Sequence, residues 1–344
     1  MLEIVEKSGW GWRMQQGSSS RWCSGGPTMR TRKRRRHKMT IAIAIGSNEL
    51  EYDCYPKRVF LVDVHPLCYV VNQPQPSAFI HWITLLFSSV TINDPIIAVM
   101  DGEKGNEYRR RLLPTYKANR KKFMPLTPIG RWKSQSNDAN IRLALPYIEA
   151  FLRECNVPVI KIGDAEADDV VATLVDQVLQ RGLKAVIASP DKDFKQLISK
   201  NVQLLMPRPD VKRWSFYTLK HYMAQHECDP STDLSLRCII GDENDCIPSL
   251  AQVAPAFGRK TAVKLLKKHG SLEKLLNAAA VRTVGRPYAQ DALTKHAAFL
   301  RRNMQVLSLR RDVRVELEND WCRMRDTSSD VAALSKLERR LSKL

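Results

Sequence analysis

Gly163-Asp164-Ala165-Glu166-Ala167-Asp168-Asp169-Val170-Val171 sets three acids, Glu166, Asp168 and Asp169, within four positions at the head of an apolar-periodic run. The run continues through Leu174, Val175, Val178 and Leu179 at helical spacing and stops at Gly182, a residue type favoured just past a helix end. The acids therefore fall in the first turn of a helix, where Glu166 and Asp169, three apart, share a face. One or two first-turn acids complement the helix dipole; three exceed what capping needs.

Outward from this stretch, further acids stand at the ends of runs that read as buried strands. Val59-Phe60-Leu61-Val62 ends in Asp63, and Ile96-Ile97-Ala98-Val99-Met100 ends in Asp101. Ala185-Val186-Ile187-Ala188-Ser189 runs into Pro190-Asp191-Lys192-Asp193. His81 to Val90, apolar at helical spacing, crosses between the first two runs and makes a βαβ unit. Ligands of open parallel sheets bind beyond the carboxyl ends of the strands, so these acids converge on one spot. Like charges packed together repel and raise each other's pKa; so dense a cluster calls for cations. All-oxygen ligands suit hard ions such as Mg²⁺ or Mn²⁺.

Composition pulls the other way. The 344 residues carry a formal net charge of +19, and 44% are hydrophobic, enough for one large packed domain or two smaller ones. A basic chain of this kind meets polyanions, with nucleic acid ahead of a membrane surface; no stretch approaches the length of a transmembrane helix. A positive surface around a negative, cation-filled pocket is the layout expected of an enzyme that cuts phosphodiesters. The eight cysteines form no CxxC pair and have no His at zinc spacing, which reads as reduced thiols.

Residues 1–57 are Gly- and Ser-rich, almost continuously basic from Arg30 to Lys38, and free of acids from Arg13 to Ile45. Three readings stand for this segment: a transit peptide, a nuclear signal or nucleic-acid arm, or a disordered tail with no address. After Asp101, Glu107 to Lys122 is strongly basic with interleaved tyrosines. Arg109, Arg110, Lys117, Arg120 and Lys121 are candidates to reach phosphates, and Tyr108 or Tyr116 to stack on an unpaired base. Pro114 interrupts any single helix there, so the stretch reads as an arch or lid. A polar connector (Pro125 to Asp138), an amphipathic helix (Ile141 to Cys155) and a short strand (Val157 to Ile162) lead to the opening stretch. Beyond Asp193 come a short helix (Lys195 to Ile198), a strand (Val202 to Met206) and a turn (Pro207 to Lys212). Tyr217 to about Asn277 reads as mostly helical. It carries Asp242 and Asp245 three apart, then Gly258 at the start of a Lys-rich helix with Lys260, Lys264, Lys267 and Lys268. A glycine at a helix start lets backbone N–H groups approach a phosphate; a P-loop is excluded by spacing. Asp291 to Leu344 reads as a helical tail of mixed charge.

The ordered set Asp63, Asp101, YRRRLLPTYKANR, EADDVVATL, SPDKDFKQL, GDENDCIP and GRKTAVKLLKKHGSLEKLL resembles the 5′–3′ exonuclease domain of the bacterial DNA polymerase I type, within the 5′-nuclease or flap endonuclease superfamily. The resemblance covers roughly 58–320. With no polymerase domain following, it looks like a stand-alone, plant-organellar-like member, so the N-terminal segment is expected to address a mitochondrion or chloroplast, with the nucleus as alternative. The resemblance implies an α/β fold: a PIN-like parallel-sheet nuclease domain with a helical arch at 58–225, a helix–hairpin–helix DNA-binding subdomain at 226–320, and a helical tail at 321–344. It implies Mg²⁺ or Mn²⁺, two ions, with Asp63, Asp101, Glu166, Asp168 and Asp169 holding or surrounding the first and Asp191, Asp193, Asp242 and Asp245 serving the second. Arg109, Tyr116, Lys117 and Arg120 match arch positions beside the scissile phosphate. Gly258, Lys260 and Thr261, followed by Lys264, match the start of the clamp helix, with a K⁺ ion at the hairpin. The implied activity is hydrolysis of DNA with a 5′ end or flap by a monomer; a DNA-binding protein that does not cut and a PIN-type ribonuclease are the rivals. Three departures stand out: Val64-His65 follow Asp63 where the family usually has Gly, Cys246 follows Asp245 where it has Asn, and the Pro248–Gly258 hairpin is longer and lacks the early glycines. A fluorescent protein fused behind residues 1–57 is expected to enter a mitochondrion or chloroplast; accumulation in the nucleus would refute that address.

Overall fold

Three apolar runs make the centre of a six-stranded sheet in the computed structural model, which describes residues 57–70, 73–121, 137–226 and 229–343. The N-terminal segment before residue 57, residues 122–136 with most of the polar connector expected from Pro125 to Asp138, and the side chains of Arg120 and Lys121 lie outside the described residues. Strands β1 (Arg58–Asp63), β2 (Ile96–Met100), β3 (Val159–Lys161), β4 (Lys184–Ala188), β5 (Val202–Arg208) and β6 (Arg213–Tyr217) lie in the order β3-β2-β1-β4-β5-β6. The first five run parallel, and β6 is antiparallel to β5. Strands buried on both faces need unbroken apolar runs, which is why β1, β2 and β4 stood out in the sequence.

Successive side chains point to opposite faces of a strand. Phe60, Val62, Ile96, Ala98, Val186 and Ala188 face one layer, with α1 (Pro76–Leu85), α3 (Asn137–Glu154) and α12 (Asp330–Leu341) packed on it. Val59, Leu61, Ile97, Val99, Ala185 and Ile187 face the other, covered by α4 (Ala167–Gln180). The helix forecast from the opening stretch is α4, and Gly182 beyond it has φ 73. A short α2 (Glu107–Leu112) ends before Pro114. The second half supplies α5 (Leu219–His226), α6 (Asp233–Ile240), α7 (Leu250–Val253), α8 (Arg259–His269), α9 (Leu272–Val281), α10 (Pro287–Lys295) and α11 (Ala297–Leu307). Helices α6 to α11 build a separate apolar cluster that also takes in Leu113 and Tyr116. No helix among the described residues is long and apolar enough to cross a membrane.

Two expectations need correction. Pro207 to Lys212 is not all turn: β5 continues to Arg208, and the chain reverses through Pro209–Val211 and Lys212 at φ 46 into β6. The tail is not helical throughout: between α11 and α12 it runs largely extended. There Val313, Val315 and Leu317 alternate with exposed Arg314 and Glu316, a strand-like period that a helix cannot bury. The Gln177 amide of α4 serves this segment like a strand partner, donating to Val315 O (2.8 Å) and accepting from Leu317 N (2.7 Å).

Leu337 of α12 is 2% exposed against the first layer. Leu337→Ala is expected to cost about 2–5 kcal/mol in urea unfolding; a loss under about 0.5 kcal/mol, typical of surface sites, would show that α12 is not part of the core.

Candidate active site

The chain leaves β1 for β2 and β3 on one side of the sheet and returns to β4 on the other. That reversal opens a crevice between the carboxyl ends of β1 and β4, where open α/β sheets bind ligands. Asp63 ends β1, and Ser189 follows β4. Ser189 Oγ donates to Asp63 Oδ2 (3.0 Å) and accepts from Asp191 N (3.0 Å), tying the two strand ends together. Asp101 comes from β2: its Oδ1 accepts from Ala167 N (2.8 Å) at the start of α4. Gly102 permits that approach. Its N–H donates to Ala165 O (3.0 Å), and a Cβ there would lie 1.8 Å from Ile162 O. His65, one of the departures from the family pattern, sets Nδ1 3.4 Å from Asp101 Oδ2.

Asp63, Asp101, Asp168 and Asp191 thus stand near one another at one edge. Burial, then the charges of Asp101 and Asp191, push Asp63 well above the usual carboxylate range. Burial, then Asp191 and Asp63, do the same to Asp168. Burial, then Asp193, raise Asp191 to about 7. Among the described residues no Lys or Arg forms an ion pair with Asp63, Asp168 or Asp191, although Lys117 lowers all three from a distance. Excess negative charge on oxygen ligands at the carboxyl edge fits a hard divalent cation. As the side chains stand, no three metal-ligating groups among the described residues close into a chelating cluster.

Glu166 and Asp169 belong to a different unit. Arg109, expected at the scissile phosphate, is 3% exposed and saturated by protein acceptors. Its Nη1 reaches Glu166 Oε2 and Asp169 Oδ2 (2.8 Å), its Nη2 reaches Asp169 Oδ1 (2.7 Å) and Ser308 O (3.2 Å), and its Nε reaches Val306 O (2.8 Å). The shared face of Glu166 and Asp169 is real, but it meets a guanidinium. Tyr116, 4% exposed, donates its hydroxyl to Glu166 Oε2 (3.2 Å), whereas Tyr108 stays exposed under Arg310. Lys117 Nζ pairs with Glu166 Oε1. Burial opposes the Glu166 charge, but Lys117 and then Arg109 outweigh it and hold the group below its usual range.

Asp193 and Asp242 also gather, around Arg237 and Lys192. Arg237 Nη2 lies 2.7 Å from Asp193 Oδ1 and 3.1 Å from Asp242 Oδ2, and Lys192 Nζ lies 2.7 Å from Asp242 Oδ2. Asp245 stands in the turn after Asp242 and is joined to the arch. Lys117 N donates to Asp245 O (3.0 Å) and Asn119 Nδ2 to Asn244 O (3.0 Å). Lys117 takes φ 51 and Cys246 φ 56, left-handed conformations that cost about 1–3 kcal/mol each in such side chains. Arg237, Lys192 and Ser189 were missed in the sequence, because a lone Arg in an apolar helix and a Lys between two acids carry no distinctive spacing.

At the far end, α8 begins at exposed Gly258 with no side-chain cap, and Lys260 and Lys264 are exposed along its first turns. A Cβ at Gly258 would meet nothing within 4 Å. Among the described residues nothing packs against that position, so the first N–H groups of the helix face open space. Thr261 Oγ1 lies 3.1 Å from Tyr288 Oη. Arg110, expected to bind DNA, is half-buried at the arch base, its Nε directed at Tyr116 O.

Arg109→Met leaves buried Asp169 without its ion-pair partner and Glu166 with Lys117 alone, and is expected to cost about 3–5 kcal/mol of stability, whereas Arg111→Met, 80% exposed beside Glu107, is expected to stay within about 0.5 kcal/mol. Unchanged melting of the Arg109 variant together with weakened DNA binding would restore the phosphate contact.

Residues 72–227 match the model of the 5′-3′ exonuclease N-terminal resolvase-like domain, and residues 229–330 that of the 5′-3′ exonuclease C-terminal SAM fold. A 5′-3′ exonuclease of Aquifex aeolicus is 33% identical over 136 residues, 40% of this chain and 44% of that protein. DNA polymerase I of Caldicellulosiruptor bescii is 31% identical over 181 residues, 52% of this chain and 19% of that one. The chain therefore spans less than half the length of these curated relatives. Among solved structures, T5 5′-exonuclease with bound divalent zinc superposes with TM-score 0.58 at 21% identity, over 83% of this chain and 98% of its own. A bacteriophage T5 flap endonuclease in a complex with DNA and metal ions gives 0.56 at 20%, over the same shares. At these identities the structural likeness speaks for the fold. With both domain models matched in tandem, the chain belongs to the 5′-3′ exonuclease family: a resolvase-like domain of parallel sheet followed by a helical SAM fold.

Proposed function

We propose that this chain hydrolyses phosphodiester bonds of DNA from a 5′ end or at a 5′ flap, in replication or repair. The observation that carries this is the set of carboxylates without ion-paired cations, Asp63, Asp168 and Asp191 with Asp101 beside them, at the sheet's switch point. These four would hold Mg²⁺ or Mn²⁺, which when bound supplies a water of lowered pKa and Lewis acidity at a phosphoryl oxygen. Ser189 orients Asp63, and His65 stands beside Asp101. Lys117, fixed by Glu166 and the Asp245 carbonyl, brings positive charge to the crevice where charge develops on the phosphate. The open start of α8, with Gly258, Lys260, Thr261 and Lys264, suits duplex phosphates, and the hairpin before it is the place for a K⁺ ion. Arg120 and Lys121 extend the same reading to the arch. A two-ion form would need Asp193 and Asp242, whose oxygens Arg237 and Lys192 already engage. A monomer addressed to a mitochondrion or chloroplast completes the proposal.

The relatives named 5′-3′ exonuclease and DNA polymerase I support this reading. Purified protein with 5′-labelled flap DNA is expected to cut with Mg²⁺ and not with EDTA, and Asp191→Ala to bind the flap without cutting it. Binding without cutting by the wild type would leave a DNA-binding module. Cleavage of RNA alone in a parallel substrate panel would leave a PIN-type ribonuclease.

A further inference from the structure

Asp193 follows β4, and Asp242 follows α6; tertiary folding brings their carboxylates to one nitrogen. Arg237 Nη2 lies 2.7 Å from Asp193 Oδ1 and 3.1 Å from Asp242 Oδ2, where an ion bridging these acids would sit. Lys192 Nζ lies 2.7 Å from the same Asp242 oxygen, and Asp242 Oδ1 accepts from Asn244 N (3.1 Å). Both oxygens of Asp242 are thus engaged. Arg237 is 7% exposed and Asp242 6%. Seating a divalent ion there would set a second positive charge against the buried guanidinium and break its two ion pairs, leaving Asp233 as its remaining nearby carboxylate, a disfavoured exchange. The chain uses the same device at Arg109, a buried guanidinium between Glu166 and Asp169. The crevice acids Asp63, Asp168 and Asp191 have no such partner among the described residues.

We infer that this chain takes one divalent ion, at Asp63, Asp101, Asp168 and Asp191, and that Arg237 with Lys192 stands permanently in place of a second. The inference rests on the proposed metal-dependent reading of the crevice. A guanidinium stays protonated and can neutralise charge, but it cannot generate hydroxide as a metal does. Ionisation of water therefore belongs to the crevice alone, and charge neutralisation on the Asp242 side belongs to Arg237.

Titration of the DNA-free full chain with Mn²⁺, read by the electron paramagnetic resonance of free Mn²⁺, separates the possibilities. One ion per chain is expected, lost in Asp168→Asn and retained with unchanged affinity in Asp242→Asn. Arg237→Met is expected to admit a second ion. Should that variant fail to fold, exposed Lys192→Met with Asp242→Asn carries the test, each keeping the wild-type count. Two ions of similar affinity in the wild type, or loss of an ion in Asp242→Asn, would overturn the inference while leaving the nuclease reading intact. No bound ion would overturn both.

Discussion

Repulsion among carboxylates at the carboxyl edge of a parallel sheet is the constraint around which this protein is arranged. Parallel strands deliver their last residues to one edge, and here β1, β2 and β4 deliver Asp63, Asp101 and Asp191. Helix α4 adds Asp168 and Asp169, with Glu166 at its cap. In a partly buried setting such a set cannot stay ionised without counter-charge. The fold divides it. Glu166 and Asp169 receive Arg109 and Lys117, Asp193 and Asp242 receive Arg237 and Lys192, and the crevice acids receive no ion-paired cation among the described residues. The charge left over is concentrated at Asp63, Asp168 and Asp191.

Arg109 also joins three parts of the chain. It comes from α2, holds two acids at the start of α4, and donates to the Val306 and Ser308 carbonyls at the end of α11. Arg310 N then returns to Asp169 Oδ1 (2.9 Å), so the tail begins its extended path on the same carboxylate. The path continues over α4 through Gln177. A buried, fully hydrogen-bonded guanidinium is worth most where all its acceptors are placed by other packing, and here the sheet domain, the arch and the helical cluster each place some of them.

The helical cluster is coupled to the crevice by backbone contacts. The turn from Asp242 to Ile247 closes on itself, with Ile247 N bonded to Asp242 O (2.8 Å), and offers the Asn244 and Asp245 carbonyls to the arch. Lys117, whose N–H makes this attachment, takes a left-handed conformation. Its ammonium is therefore set by the same element that leads, through α7, to the start of α8.

By itself the sequence determined the sheet, α4 and the edge where the acids gather, because unbroken apolar runs and helical periods are local properties that burial alone explains. The order of motifs carried the family, and the two matched domains agree with it. Only the tertiary structure decided which acids remain without an ion-paired cation. Arg109 reads in sequence as one more base in a basic stretch, and it is buried because residues 57 and 60 positions later face it across the fold. Arg237 lies 44 positions from Asp193 and meets it by the packing of α6 on the sheet domain. The extended tail was hidden for the same reason: its partner is a glutamine side chain on a helix more than a hundred residues upstream. Charge pairing over such separations depends on where packing brings side chains, which no local pattern encodes.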